Sequence, residues 1–324
     1  MKKLFYLLLC AVCIALVGCK DNNQPTDPTN PENPQVEEDV TMTSKVVQAH
    51  TIYEVTFKSG EKMWFGVENE VDAPQELSLV SAYAYYVDKD IYASNKYKGD
   101  FIVPSSFKCK GTTYTVTGLY GSSSNSKATP FYECEELTSL TIPSTVLTIG
   151  AYSVKGCSKL TKVVLPESIK EIGGEAFRAN TLLVDITLPA SLEHIGYSAF
   201  YGCKSLKSIV VPSKVDEIGR SAFNNCENLT GVVISNGVKT INEEAFRGCV
   251  KLQEIELPAS ITKVGLDAFL WCESLMSLTC LATTPPSADD LGLNENVTIY
   301  VPASSVDAYK GANGWKDYNI QPIQ

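Results

Sequence analysis

Residues 200–222 read FYGCKSLKSIVVPSKVDEIGRSA, and residues 246–268 read FRGCVKLQEIELPASITKVGLDA. Lined up, they share Phe, Cys, Leu, Ile, Pro, Gly and Ala at the same places. Working outward, the pattern returns every 23 residues. One column is Cys134, Cys157, Asn180, Cys203, Cys226, Cys249 and Cys272. Three residues earlier stand Phe131, Val154, Phe177, Phe200, Phe223, Phe246 and Phe269; three residues later stand Leu137, Leu160, Leu183, Leu206, Leu229, Leu252 and Leu275. Alternating apolar pairs follow, such as Leu140 with Ile142 and Ile209 with Val211. Pro143, Pro166, Pro189, Pro212 and Pro258 close the run, with Ser235 in one broken slot.

A fixed period in this range with L-x-x-L-x-L spacing is the signature of leucine-rich repeats. The alternating pair makes a short strand with one face inward. Pro ends it, because Pro has no N–H for the next ladder bond. The x-x-A-F segment reads as a short helical turn whose Phe plugs the coil. Each buried Leu, Ile or Phe contributes roughly 1.5–3 kcal/mol, and no unit holds enough of them to fold alone. The expected fold is a β-rich α/β solenoid with short parallel strands, a small N-terminal β region and a C-terminal cap.

The C-x-x-L-x-x-L-x-[IL]-P and I-G-x-x-A-F pieces resemble the BspA-like leucine-rich repeats of bacterial surface proteins. The resemblance covers about residues 101–324. It implies a solenoid used for adhesion to proteins or glycans, and it brings no catalytic residue with it. Val154, Asn180, Ser235 and Asn242 depart from the pattern, each as a local packing change.

Degenerate units flank the array. Phe101-Ile102-Val103-Pro104 matches Leu140-Thr141-Ile142-Pro143, and Val116 and Leu119 match Val146 and Ile149. Extra residues then fall around Cys109-Lys110-Gly111 and in the Ser-rich stretch 121–127, which reads as a loop. At the other end, Ile299-Tyr300-Val301-Pro302 is one more strand, with Val306, Tyr309 and Trp315 as an aromatic cap. Upstream, Tyr53, Val55 and Phe57 alternate, Ser59-Gly60 turns and Met63 to Val67 returns, which predicts a hairpin. Tyr83, Tyr85, Tyr86, Tyr92 and Tyr97 crowd the same region, as a cap on the first coil or as an aromatic binding patch.

The N-terminus is an address. Lys2 and Lys3 precede an apolar run from Leu4 to Val17 that suits a signal peptide better than a membrane span. Leu16-Val17-Gly18-Cys19 resembles the lipobox of bacterial lipoproteins, which implies that Cys19 is acylated. Lys20-Asp21 resembles the surface-export signal of Bacteroidetes lipoproteins. Pro25, Pro28, Pro31 and Pro34 then mark an extended tether, up to about 75 Å for residues 20–44, with His50 solvated near its end. The expected division is residues 1–18 signal, 19–45 lipidated tether, 46–100 N-terminal β region, 101–281 solenoid, and 282–324 last strand and cap.

Loss of residues 1–18 removes two lysines and no acid, taking the formal charge from −10 to −12. That argues against nucleic acid, whose phosphates require excess Lys and Arg. With only two histidines, His50 and His194, multi-histidine metal sites are excluded. Cys10 and Cys13 lie inside the apolar run, so their C-x-x-C spacing is not redox chemistry. Stacked cysteines one coil apart fall within disulfide distance, but their side chains point alike, and buried thiols are the simpler reading. His194 shares a column with Glu171 and Glu217. No P-loop, H-E-x-x-H or G-x-S-x-G occurs.

Function is therefore sought on the open strand face. The candidate binding face is Lys162, Val164, Asp185, Thr187, Val210, Val233, Glu254 and Glu256, a flat β-branched strip turning acidic at its end. The expectation is a monomeric, non-enzymatic lipoprotein of the bacterial outer membrane and cell surface, without cofactor, touching the membrane only through its lipid and binding a protein or glycan. An accessory lipoprotein of a glycan-handling surface complex is the alternative, and an enzyme with its site in residues 46–100 is a second.

Overall fold

A computed structural model describes residues 36–37, 40–47, 50–56, 62–66, 76–80, 97–109, 112–119 and 129–324. From residue 129 onward the chain winds as a solenoid in which every coil has three sides. The first side is a strand of two to five residues: Leu137–Thr141, Lys162–Val164, Asp185–Ile186, Ser208–Val211, Gly231–Ile234, Glu254–Leu257 and Ser277–Cys280. The second is a two-residue strand: Thr148–Ile149, Glu171–Ile172, His194–Ile195, Glu217–Ile218, Thr240–Ile241, Lys263–Val264 and Ser287–Ala288. All these pairs are parallel, and most are offset by one period, as in Ile149↔Ile172 and Ile172↔Ile195.

Local chemistry sets the corners. After the first strand the Pro carbonyl accepts from the N–H three residues on, as in Val146 to Pro143 and Val215 to Pro212, which closes a β-turn. Ser235, in the broken slot, has the N–H that Pro lacks and donates it to the Val211 carbonyl at 3.1 Å. After the second strand the chain runs so close to the coil before it that a Cβ on Gly219 would lie 2.6 Å from the Gly196 carbonyl carbon. Asn242 takes the same column and donates its side-chain amide to the Ile218 carbonyl at 3.0 Å and to Glu217.

The third side differs from expectation. It is neither helix nor strand but a series of hydrogen-bonded turns. Two places per coil carry positive φ: Glu175 and Ala179 in one coil, Ser198 and Gly202 in the next, Glu244 and Gly248 further on. A residue in the left-handed region cannot continue an α-helix. Instead, N–H groups alternate between their own coil and the next: Ala176 donates to Gly173, whereas Phe177 donates to Ala199 at 2.8 Å.

Inside, like stacks on like. Phe177, Phe200, Phe223, Phe246 and Phe269 form a stack with ring centroids 5.3–5.9 Å apart and planes within 10°. Val154 interrupts it, and Phe131 packs instead on Tyr97 and Phe101. In the next column each thiol from Cys157 to Cys272 donates to the Phe carbonyl of the preceding coil, as Cys203 does to Phe177 and Cys226 to Phe200. Asn180 fits there because its amide does the same for the Val154 carbonyl, while its oxygen accepts from the Cys157 N–H at 2.8 Å. Cys203, Cys226, Cys249, Cys272 and Cys280 are buried free thiols. Burial pushes the Cys203 thiol up to about 12 and those of Cys226 and Cys249 well above the usual range.

The N-terminal strands are β1 (Val36–Glu37), β2 (Thr41–Val47), β3 (His50–Thr56), β4 (Lys62–Gly66), β5 (Glu76–Val80), β6 (Gly99–Ile102), β7 (Ser106–Cys109) and β8 (Thr112–Leu119). β2, β3, β4 and β5 form an antiparallel meander, and β5 joins β8 in parallel. One sheet therefore runs from the meander through the second side of every coil to Ser287–Ala288. Phe101 pairs with Leu140 and Leu119 with Ile149, the alignment that the spacing predicts. The insertion around Cys109 is the β7–β8 hairpin.

Two pairings stand out at this end. Among the described residues, strand pairing starts at Val36, which pairs with Ser106, inside the stretch read as tether. His50 is the first residue of β3 and pairs with Val47, so its backbone belongs to the sheet. The physical reason is a distant partner: β1 is held by β7, far along the chain, and no local signal reports that. The signal run, Cys10, Cys13, Cys19, the Pro-rich stretch, Tyr83, Tyr85, Tyr86, Tyr92 and the Ser-rich loop lie outside the described residues.

At the C-terminus Thr298–Val301 pairs with Ser277–Cys280, and Asn319–Pro322 pairs with Thr298–Val301. Helix α1 (Val306–Gly311) places Tyr309 over the last coil. Its hydroxyl donates to the Ala282 carbonyl at 2.9 Å, and the Trp315 ring N–H donates to the Pro286 carbonyl at 2.7 Å. Both rings are fully buried. Pro322 sits on the terminal strand, where a missing N–H discourages further pairing.

Candidate functional site

The strand strip is built by register. Lys162 lies between Ser139 and Asp185, Val164 beside Thr141, Val210 beside Val233, and Glu254 and Glu256 beside Ser277 and Thr279. Thr187 is exposed just past its strand. The eight residues do not share one sheet. Lys162, Val164 and Asp185 belong to a four-stranded piece, Val210 and Val233 to a two-stranded piece, and Glu254 and Glu256 to a second four-stranded piece.

The strip is chemically quiet. Lys162 and Asp185 form an exposed ion pair at 3.4 Å, and such pairs contribute about 0–1 kcal/mol. Val210 is 39% exposed. Burial, and then the neighbouring Glu254, raises the Glu256 carboxyl above its usual range. Beside the strip, Lys159 pairs with Glu136 at 2.7 Å and Lys204 with Glu227 at 2.8 Å. His194 stands exposed on the second side, in register with Glu171. Among the described residues no three His, Cys, Asp or Glu side chains cluster as metal ligands.

A richer surface lies on the third side, which the sequence reading passed over. Glu175 accepts from Lys155 at 2.7 Å and pairs with Arg178 at 3.3 Å. The Arg178 guanidinium lies 4.3 Å from the centroid of the Tyr201 ring, and the Tyr201 hydroxyl accepts from Asn225 at 3.1 Å. Glu244 pairs with Arg247 at 2.8 Å, and Arg247 lies 4.1 Å from the Trp271 ring centroid. The hydroxyls of Tyr152 and Tyr197 meet at 3.1 Å, and that bond raises the Tyr152 phenol above its usual range. Tyr197 reaches back because Gly174 leaves room: a Cβ there would collide with its ring. The signal for this ridge was present in the sequence. Glu175 and Glu244 stand five residues before the Cys column and Arg178 and Arg247 two before it, but those places read as a helical turn.

Near the C-terminal end, Glu273, Leu275, Met276, Leu293 and residues 294–296 line a depression of about 590 Å³.

In-register parallel strands, a stacked Phe core and capped ends define the class: a leucine-rich-repeat solenoid. The profile of the BspA type leucine rich repeat region matches residues 124–249 and 216–284 in six copies, and the chain belongs to the BspA-like leucine-rich-repeat proteins. The chain is similar to a leucine rich cell surface protein of Faecalibacterium prausnitzii A2-165, at 21% identity and a TM-score of 0.55 over 75% of this chain and 70% of that one. It is also similar to a leucine-rich-repeat protein of T. pallidum, at 29% identity and a TM-score of 0.51 over 65% and 86%. No curated protein sequence matches it.

Proposed function

We propose that this is a lipid-anchored protein of the outer cell surface that binds a macromolecular partner along the flank of its rod, without catalysis. One observation carries the reading: the inward columns are nearly constant in type, whereas outward positions on the same strands change from coil to coil. The column Ser139, Lys162, Asp185, Ser208, Gly231, Glu254 and Ser277 runs through polar, cationic, small and anionic residues. A constant interior under a variable exterior is a display scaffold, and solenoids offer extended surfaces for recognition. The membership in a family of surface repeat proteins supports it.

Two measurements test it. Cys19→Ala should move the protein from the membrane fraction to the soluble one; continued retention would remove the anchor. A photo-crosslinking amino acid placed in turn at Val210, Val233 and Tyr201 in whole cells should give a light-dependent adduct of higher mass. No adduct at any of the three would overturn the binding reading.

A further inference from the structure

The third side of the solenoid carries one arrangement twice. In Glu175-Ala176-Phe177-Arg178 and again in Glu244-Ala245-Phe246-Arg247, Ala and Phe are buried while the acid and Arg face outward. Each Arg is held by its own acid and lies over an aromatic ring of the next coil, Tyr201 in one copy and Trp271 in the other. The copies stand three coils apart, about 14 Å at the usual strand spacing.

Trp271 is the residue that packing does not explain. Its φ is +62°, a conformation that a bulky side chain enters only under strain. Gly156, Gly202 and Gly248 hold the same place in other coils. The residue is 55% exposed, so its ring fills no part of the core. Arg247 covers one face of the indole and fixes it, and the exposure falls on the rest. A strained, exposed and pinned Trp is a recognition group, and Trp, Tyr and Arg are the side chains that carry most binding energy at interfaces.

Charge selects the partner. Glu175 already holds Lys155 and Arg178. Glu244 holds Arg247 and also accepts from Ser221 and Asn224. Arg220 and Glu243 pair between the two copies at 3.5 Å. A polyanion would have to displace a carboxylate at each guanidinium, and a polycation the reverse. A neutral partner displaces nothing. The C–H face of a sugar ring suits the negative face of an aromatic ring, and its hydroxyls can both donate to and accept from carboxylate, amide and phenol groups. The rise per coil, about 4.8 Å, is close to the advance of one hexose in an extended chain. We infer that this ridge binds an extended neutral polysaccharide, with Trp271 and Tyr201 as stacking platforms and Arg247 and Arg178 as positioning residues. The inference rests on the reading of the rod as a binding protein and names its ligand class and contact surface.

The test is affinity electrophoresis of the mature soluble chain in gels containing a linear β-glucan, a mannan, a xylan or an α-glucan, with polygalacturonate as the charged control. At least one neutral polymer should retard the protein, and Trp271→Gly and Tyr201→Ala should each weaken that retardation about tenfold or more. Trp271→Gly is the decisive variant, because glycine suits the backbone there and the fold is kept. Leu147→Ser, at an exposed position before the second-side strand Thr148–Ile149 and away from the ridge, should bind as the unmodified chain does. Arg247→Lys should retain part of the affinity and Arg247→Gln should not. Retardation that survives Trp271→Gly, retardation by polygalacturonate alone, or none by any polymer would each overturn the inference. A crosslinked protein adduct in cells together with no polysaccharide binding would leave the binding reading standing and remove this one.

Discussion

The strand strip and the turn ridge are two flanks of the same coils, built by opposite means. On the strip, the backbone is spent on interstrand bonds, and most outward side chains are short or β-branched, as strand geometry favours, with Lys162, Glu254 and Glu256 the long ones. On the ridge, two left-handed residues per coil turn alternate N–H groups along the axis, and the side chains at and around them include long or ringed ones: Tyr152, Arg178, Tyr197, Tyr201, Arg247 and Trp271. The regular flank is chemically the quieter one, and the irregular flank gathers the guanidinium and aromatic groups.

Both flanks depend on the interior, so the largest effect is expected there. Phe223→Ala opens a gap between Phe200 and Phe246, whose rings lie 5.3 and 5.4 Å from it. It should cost about 3–5 kcal/mol, seen as a lowered Tm. Leu206→Ala, fully buried in the neighbouring column, should cost about 2–5 kcal/mol by the same measure. A small change at either would show that the interior does not support the flanks as described.

Two glycines sharpen the contrast. Gly219 stands at the corner where the ridge begins, and a methyl group there meets the Gly196 carbonyl. Gly219→Ala should destabilise by about 1–3 kcal/mol. On the strip, a Cβ at Gly231 would lie 3.4 Å from the Ser208 Cβ, an ordinary contact. Gly231→Ala should stabilise by about 0.5–1 kcal/mol in denaturant titration. Equal effects at the two sites would erase the distinction between close-packed corner and open strand.

The smallest effect belongs to Glu256. Its folded-state carboxyl is raised, so the folded chain holds its proton more tightly than the unfolded chain. Stability from this group is greatest below the usual carboxylate range and falls as pH rises through it. Glu256→Gln should therefore raise Tm slightly at pH 7, and the advantage should vanish below about pH 4. An advantage that grows on acidification would reverse the sign and refute the argument.

Much of this molecule is legible in its sequence because one side chain per column repeats the same physical requirement. Leu206 and Leu229 are buried for one reason, and even Phe101 and Leu140 could be paired by eye. What was hidden is of two kinds. Val36 finds its partner, Ser106, only through the tertiary fold, and Thr41–Val47, although it pairs with the adjacent strand His50–Thr56, resembles more tether beside a Pro-rich stretch. The ridge was hidden because Glu175, Ala179 and Trp271 carry no local mark of positive φ; glycine would have announced it, and these residues do not. A fixed-period segment ending in Ala-Phe reads as a helical turn until its hydrogen bonds are seen.

Each coil bonds only to its neighbours, and each cap touches only an end. Nothing in either cap counts the units between them. Deleting residues 203–225 whole would bring together surfaces that already fit, and would shift the Arg178 and Arg247 copies one rung nearer. Gene duplication or loss of single units is therefore a ruler for the distance between paired contacts, adjustable in steps without redesign of either end.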